Sequence, residues 1–212
     1  MFGLPKSTEI SKFLPKKTIF DRFKPAAAER RLFNEQISRL TIVAEISPQT
    51  VNIPAGKDVP AIYIILIALK EAECDKKNIA LLSKLIDQRM LFALQHKGAV
   101  RFAVYRAGRA LISEYKKVDD WKLDLTGFDL DKVWENLIAE TSGVDLVEGI
   151  NLNEAIAAKE LGERLTKKIV ALEKRAMKER QPRRKWELVE EIKRLKAELG
   201  GVLGDKEKIT QA

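Results

Sequence analysis

Residues 61–94 decide the fold: AIYIILIAL (61–69), KEAECD (70–75), KKNIALLSKLIDQ (76–88), Arg89, then MLFAL (90–94). The first run is almost wholly apolar and rich in isoleucine. A strand buried on both faces has that composition. Asp75 is placed to cap the next segment. Ile79, Leu82, Leu85 and Ile86 follow at three- and four-residue spacing, so a helix is expected over 76–88. The second apolar run is again strand-like. Strand, helix, strand at this length is a βαβ crossover, which makes the two strands parallel and the connection right-handed.

Downstream, Lys97-Gly98 turns the chain. Residues 100–105 and 110–115 read as strands joined at Ala107-Gly108, so an antiparallel meander follows the crossover. Upstream, Pro25 suits the first turn of a helix over 26–38. Leu40, Ile42, Ala44 and Ile46 then alternate with polar neighbours, as a half-buried strand does. Ser47-Pro48 breaks it, 51–53 is a short extended piece, and 55–58 is a turn. In the first 24 residues, Leu4-Pro5-Lys6 recurs as Leu14-Pro15-Lys16. Proline forbids a continuous helix there. An arm is expected, with a helical turn over 7–13, packed by Phe2, Leu4, Ile10, Phe13, Ile19 and Phe23.

Beyond the meander the period changes. Leu130, Val133, Trp134, Leu137 and Ile138 mark a short amphipathic helix, capped by Asp129 and ended by Gly143, with Gly149 in the loop that follows. Leu161, Leu165, Ile169, Leu172 and Ala176, then Leu188, Ile192, Leu195 and Leu199, keep coiled-coil gaps. Gln181-Pro182 separates the two series. Two antiparallel helices with a tight turn at 180–183 are expected, roughly 40 Å and 25 Å long. Gly200-Gly201 is expected to stop the second, leaving 201–212 as a flexible tail.

Charge is unevenly placed. The chain of 212 residues carries a formal +8, yet 159–196 alone holds 14 Lys/Arg against 7 Asp/Glu, and 1–31 holds 8 against 3. The middle is mildly acidic. Basic ends on an acidic middle point to a polyanion or an acidic partner surface. An apolar content of 45% supports a packed core. The lone Cys74 forms no intramolecular disulfide, which argues for a reducing, cytoplasmic setting. The longest apolar run, 59–69, is 11 residues; a membrane span needs about 20. No membrane partner is therefore expected, and because Pro5, Lys6, Lys12, Pro15 and Lys16 break the first 20 residues before any apolar stretch develops, no signal peptide is expected either.

A single histidine, His96, removes two-histidine metal sites and zinc fingers. It sits in Gln95-His96-Lys97-Gly98, a hairpin tip. Glu114 and Lys116, at the end of a strand, have the Glu-x-Lys form of metal-dependent nucleases, but the preceding strand supplies no aspartate. Asp119, Asp120, Asp124, Asp129 and Asp131 do not match a Ca²⁺ loop and read as caps and linker. No phosphate-binding or dinucleotide loop is present, so no cofactor and no metal are expected. The sharpest candidate is the turn of the C-terminal hairpin. Lys174, Arg175, Lys178, Arg180, Arg183, Arg184 and Lys185 fall within twelve residues, opposed by Glu179 and followed by Trp186. Such a cluster neutralises phosphates, and the indole can stack on a base. The plainer reading is a solvated coiled-coil end with Trp186 packed on Ala176 or Met177.

The chain also resembles a bacterial family known only as a domain of unknown function. The resemblance is carried by Phe2-Gly3-Leu4-Pro5-Lys6-Ser7-Thr8-Glu9, by Leu14-Pro15-Lys16, and by residues 42–53 (IVAEISPQTVNI). It continues with Leu85-Ile86-Asp87 and Leu91-Phe92, and closes with 171–174 (ALEK) through 179–185 (ERQPRRK). Where the family commonly has an Ile-Pro step after Ile86-Asp87, this chain has Gln88-Arg89-Met90. The resemblance implies a gene setting beside DNA methyltransferases and helicases of restriction or phage-defence clusters. It implies no catalytic residues.

The fold class expected is α+β: a mixed sheet with a βαβ unit and an antiparallel meander, plus a C-terminal antiparallel helical (coiled-coil) hairpin. The organisation expected is a basic arm (1–25), the α+β body (26–118), a linker with the short helix (119–150), the basic hairpin (151–200) and the tail (201–212). The function expected is non-enzymatic: an accessory protein of a DNA-modification or defence system that binds nucleic acid, or a DNA methyltransferase or helicase, through the hairpin tip, with the N-terminal arm as a further contact. The alternatives are a structural adaptor docking on an acidic partner surface and, third, a metal-dependent nuclease.

Overall fold

Among the described residues, seven strands and six α-helices follow one another along the chain. The computed structural model describes residues 1–144 and 151–210, with side chains as far as 201. The chain divides into two compact units, Met1–Gly143 and Val144–Ala212. The first holds β1 (Glu9–Phe13), α1 (Lys16–Phe23), α2 (Ala27–Gln36), β2 (Ile37–Ile46), β3 (Ile62–Leu69), α3 (Lys76–Leu82), β4 (Arg89–His96), β5 (Ala99–Arg106), β6 (Arg109–Ile112), β7 (Lys116–Lys117) and α4 (Leu130–Ser142). The second holds α5 (Leu152–Lys178) and α6 (Pro182–Thr210).

The sheet runs β1-β2-β3-β4-β5-β6, with β7 also on β5. Every pairing is antiparallel except β3 with β4, where Ile65 lies opposite Phe92 in parallel register. The crossover and the meander are thus both present, and the fold is the expected mixed sheet with a C-terminal pair of packed helices. The apolar run of β3 is explained by its place. Ile65 and Ile67 enter one core with Ile19, Phe33, Leu40, Ile79, Leu82 and Phe92. Ile62 and Ile64, also fully buried, lie outside that cluster. A central strand with both faces covered needs apolar side chains at successive positions.

The N-terminal segment is built in more firmly than an arm. Phe2 is buried and meets Phe102 edge-on at 5.1 Å; Phe102 in turn meets Trp121 at 4.7 Å. The amide of Leu123 donates to the carbonyl of Phe2 at 2.9 Å. Ser7 Oγ donates to the Thr50 carbonyl at 2.6 Å, joining two stretches that carry the family resemblance. Lys16, of the second Leu-Pro-Lys, donates through Nζ to the Ile37 carbonyl and to Asn34 Oδ1, and Lys70 Nζ donates to the Asn34 carbonyl at 2.7 Å. Two ammonium groups therefore satisfy carbonyls at the C-terminal end of α2, where cations are favoured. Burial and the neighbouring Lys70 charge hold the Lys16 ammonium pKa below its ordinary value.

Several expectations are corrected. The expected helical turn over 7–13 is reduced to a single 3-10 turn, Lys6–Thr8; residues 9–13 are the edge strand β1, and Phe13 is 52% exposed rather than packed. β1 needs no apolar stripe, because its order comes from backbone hydrogen bonds to β2. Helix α3 ends at Leu82 instead of 88; Leu85 and Ile86 still pack on the core, but from turns. Residues 51–53 form no strand. Helix α6 runs through Gly200-Gly201 to Thr210. Glycine disfavours a helix interior by about 1 kcal/mol without forbidding helical angles. The expected loop glycine Gly149 and the last two residues of the expected tail lie outside the described residues. Among the described residues, no helix is long and apolar enough to cross a membrane.

Candidate functional site

The C-terminal hairpin is built from its seam outward. Leu165, Ile169, Leu172 and Ala176 of α5 pack with Ile192 and Leu195 of α6, flanked by Leu161, Leu188 and Leu199. A Cβ built on Gly162 would lie 3.7 Å from Leu199 Cδ1. That pairing, with only residues 179–181 between the helices, makes them antiparallel. Asn151 caps α5 by accepting from the Asn153 amide at 2.8 Å. At the turn, Glu179 leaves the helix in an extended conformation and its Oε1 accepts from the Gln181 amide at 2.9 Å. Pro182 then opens α6, a position where its missing N–H has no helical partner to lose.

The turn presents its cations to solvent. Lys174, Arg175, Lys178, Arg180, Arg183, Arg184 and Lys185 are all exposed. Arg183 reaches Glu187 at 3.4 Å. Among the described residues, the other six make no ion pair. Glu179, the nearest acid in sequence, is occupied by the turn amide. Trp186 is 65% exposed and Met177 84% exposed, so most of the indole faces solvent.

Helical phase sorts these groups onto two flanks. With about 3.6 residues per turn, Val170, Glu173 and Met177 share one flank of α5. Trp186, Val189 and Lys196 share the facing flank of α6. The Glu173–Lys196 ion pair at 2.8 Å ties those flanks together. On the other side of the seam Lys168 meets Glu191 at 2.9 Å, and that hydrogen bond holds the Glu191 carboxyl below its ordinary pKa. Arg175 and Arg184 fall on this second flank. The tip therefore carries the exposed indole, Val170, Met177 and Val189 around the Glu173–Lys196 pair on one flank, and Arg175 and Arg184 on the other.

The other sequence candidates are placed apart. Glu114 is exposed, and Lys116 Nζ lies 4.4 Å from the centroid of the Trp121 ring, where its charge acts on Glu140. Asp129 caps α4, accepting from the Lys132 amide at 2.9 Å, and Asp131 binds the amides of Lys57 and Asp58. Among the described residues, no group of three or more His, Cys, Asp or Glu side chains is positioned to hold a metal ion. Cys74 is buried and its thiol is pushed up to about 11 by desolvation. Arg101 lies 4.6 Å from the Tyr115 ring, and both side chains donate to the Ala72 carbonyl, at 3.1 and 2.6 Å. The pair closes the β3–α3 connection over Cys74, and no residue spacing announces it.

No curated protein and no solved structure matches the chain. The family described as a domain of unknown function, DUF4391, matches residues 2–199 and so spans nearly the whole chain, which belongs to that family.

Proposed function

We propose that this protein is a non-enzymatic, cytoplasmic accessory component of a nucleic-acid-modifying or defence-type system, and that the hairpin tip is its contact with single-stranded nucleic acid. The observation that carries the reading is the tip itself: six exposed cations that make no ion pair among the described residues, beside a 65% exposed tryptophan. Folding gains little from concentrating like charges there, because water and salt screen them. A polyphosphate gains from each one, and an exposed indole supplies the stacking platform that unpaired bases use. A DNA methyltransferase or helicase is the enzyme class such a component would serve, as the family resemblance implies. The test is a salt titration with the full chain and a fluorescent oligothymidylate. Replacing Arg180, Arg183, Arg184 and Lys185 with Gln should weaken binding and reduce the log–log salt slope by about 0.7 for each phosphate no longer neutralised. Unchanged affinity and slope would reject the reading.

A specific observation favours a second reading. Val170, Met177 and Val189 are exposed on the same flank as Trp186, and aliphatic side chains have no role on a phosphate backbone. On this reading the hairpin docks as an adaptor into a partner groove with an apolar floor and an acidic rim. Met177→Ser with Val189→Ser would then abolish partner capture and leave oligonucleotide binding intact.

A further inference from the structure

The first unit carries a second concentration of positive charge, built quite differently. Residues 12–39 contain eight Lys/Arg against three Asp/Glu. Two of the three acids are engaged: Glu35 pairs with Arg31 at 2.7 Å, and Glu29 accepts from the Ala26 amide at 3.0 Å. Lys16 is turned inward onto the Ile37 carbonyl. Lys12, Lys17, Arg22, Lys24, Arg30 and Arg39 are exposed. Among the described residues, none of these six has a carboxylate at ion-pair distance.

Three of the six are laid over phenylalanine rings. Arg30 lies 4.8 Å from the Phe20 centroid, Arg39 5.4 Å from Phe13, and Arg22 5.6 Å from Phe23. A guanidinium held over a ring keeps its planar N–H fork available while losing rotamer freedom in advance. That is preorganisation for an anion. The rings come from one corner of the fold. Phe13 ends β1, Phe20 and Phe23 lie on α1, and Phe20 packs edge-on against Phe33 of α2 at 5.3 Å. Arg39 is the third residue of β2, which starts at Ile37 directly after α2 ends. Phe13 is 52% exposed on a strand that has a partner on one side only, β2. Its ring does little for folding where it stands, and it leaves a π-face beside Lys12 and Arg39.

We propose that this corner is a second contact surface for single-stranded nucleic acid, in which Arg22, Arg30 and Arg39 hold phosphates and Phe13 stacks on an unpaired base. The surface rests on observations independent of the hairpin, and its ligand is a single strand because duplex bases hide their faces from a ring on a strand edge.

The experiment titrates the full chain into a labelled oligothymidylate and into an abasic oligonucleotide of the same length, at several salt concentrations. The triple variant Arg22→Gln, Arg30→Gln, Arg39→Gln should weaken both by tenfold or more and lower the salt slope by about 0.7 for each phosphate released from its arginine. The matching triple Lys variant keeps the charge and should retain most of the slope. Phe13→Leu should weaken oligothymidylate by about fivefold or more and the abasic strand by clearly less, since the ring also orders Arg39. Unaltered circular dichroism identifies folded variants; if the Gln variant is unfolded, the Lys and Phe13 variants decide. Wild-type affinity and slope in the Gln variant overturn the proposal, even when the hairpin variant has lost binding. Equal loss of both ligands in Phe13→Leu overturns the stacking role. Binding of polyglutamate that depends on the same three arginines as strongly as oligothymidylate does assigns the corner to an acidic protein face, and also overturns it.

Discussion

A Cβ built on Gly56 would sit 2.3 Å from Cγ of Asp131, inside the carboxylate that clasps the loop containing Gly56. The Asp131 carboxylate accepts from the amides of Lys57 at 2.7 Å and Asp58 at 3.2 Å, and the Leu130 amide donates to the Pro54 carbonyl at 3.0 Å. Residues 54–58 are thereby fastened to the first turn of α4. The glycine is required for space.

Gly56→Ala should therefore lower stability by about 1–3 kcal/mol, the usual effect of overpacking. Asp131→Ala should be destabilising by itself, since it leaves two amides without their charged acceptor. In the double variant the effects should fall short of additive, because each removes the reason for part of the other. Rescue should be incomplete, as the Asp131 backbone nitrogen also lies 2.6 Å from the built Cβ. Thermal unfolding of the four proteins measures the cycle; strict additivity would show that the clasp does not couple the two residues.

Cys74 should react slowly with thiol reagents in the native protein near pH 8 and quickly once the chain is unfolded. It is 5% exposed, and burial pushes its pKa up from 9.0 to about 11. The unfolded chain ionises its thiol first as pH rises, so the stabilising effect of keeping it neutral is present below about pH 9 and is lost toward pH 11. Wild type should consequently lose stability relative to Cys74→Ala over that window. A constant difference between the two would remove the buried thiol from the explanation.

Trp121 should be sensitive even to a conservative change. Its Nε1 donates to the Val100 carbonyl at 2.8 Å in a buried position. Trp121→Phe keeps an aromatic against Phe102 but leaves that carbonyl unpaired, at about 1–3 kcal/mol. Denaturant unfolding reads the loss, and a change below about 0.5 kcal/mol would mean the carbonyl finds water instead.

The hairpin should separate stability from binding. Leu172 is buried in its seam, so Leu172→Ala should be destabilising by about 2–5 kcal/mol. Trp186 is 65% exposed, so Trp186→Ala should change stability by no more than about 0.5 kcal/mol. Helical circular dichroism on heating distinguishes them; a large loss on removing Trp186 would place the ring inside a packed contact.

The fold was legible where side chains alone carry the information. The run 61–69 reads as a central strand because burial on both faces demands apolar residues throughout. Asp75, Asp129 and Gly143 could be read as helix boundaries because capping is a local interaction: Asp75 accepts from Lys77, Asp129 from Lys132, and Gly143 adopts the left-handed conformation. The coiled-coil gaps after 160 mark the seam of the hairpin, and the density of cations marks its tip.

Tertiary structure decided what depends on a distant partner. β1 is a strand because β2 offers it an open row of backbone groups, something the residues EISKF do not encode in their polarity. Gly56 and Asp131 are 75 residues apart in sequence, and neither announces the other. The same holds for the guanidinium–ring pairs Arg30–Phe20 and Arg39–Phe13, which join residues from different elements. Amino-acid order by itself determines charge, period and caps, because those are summed along the chain. It leaves to the folded state which charges find a carboxylate, which find a ring, and which remain free, because that is settled only when segments far apart in sequence come within a few ångströms.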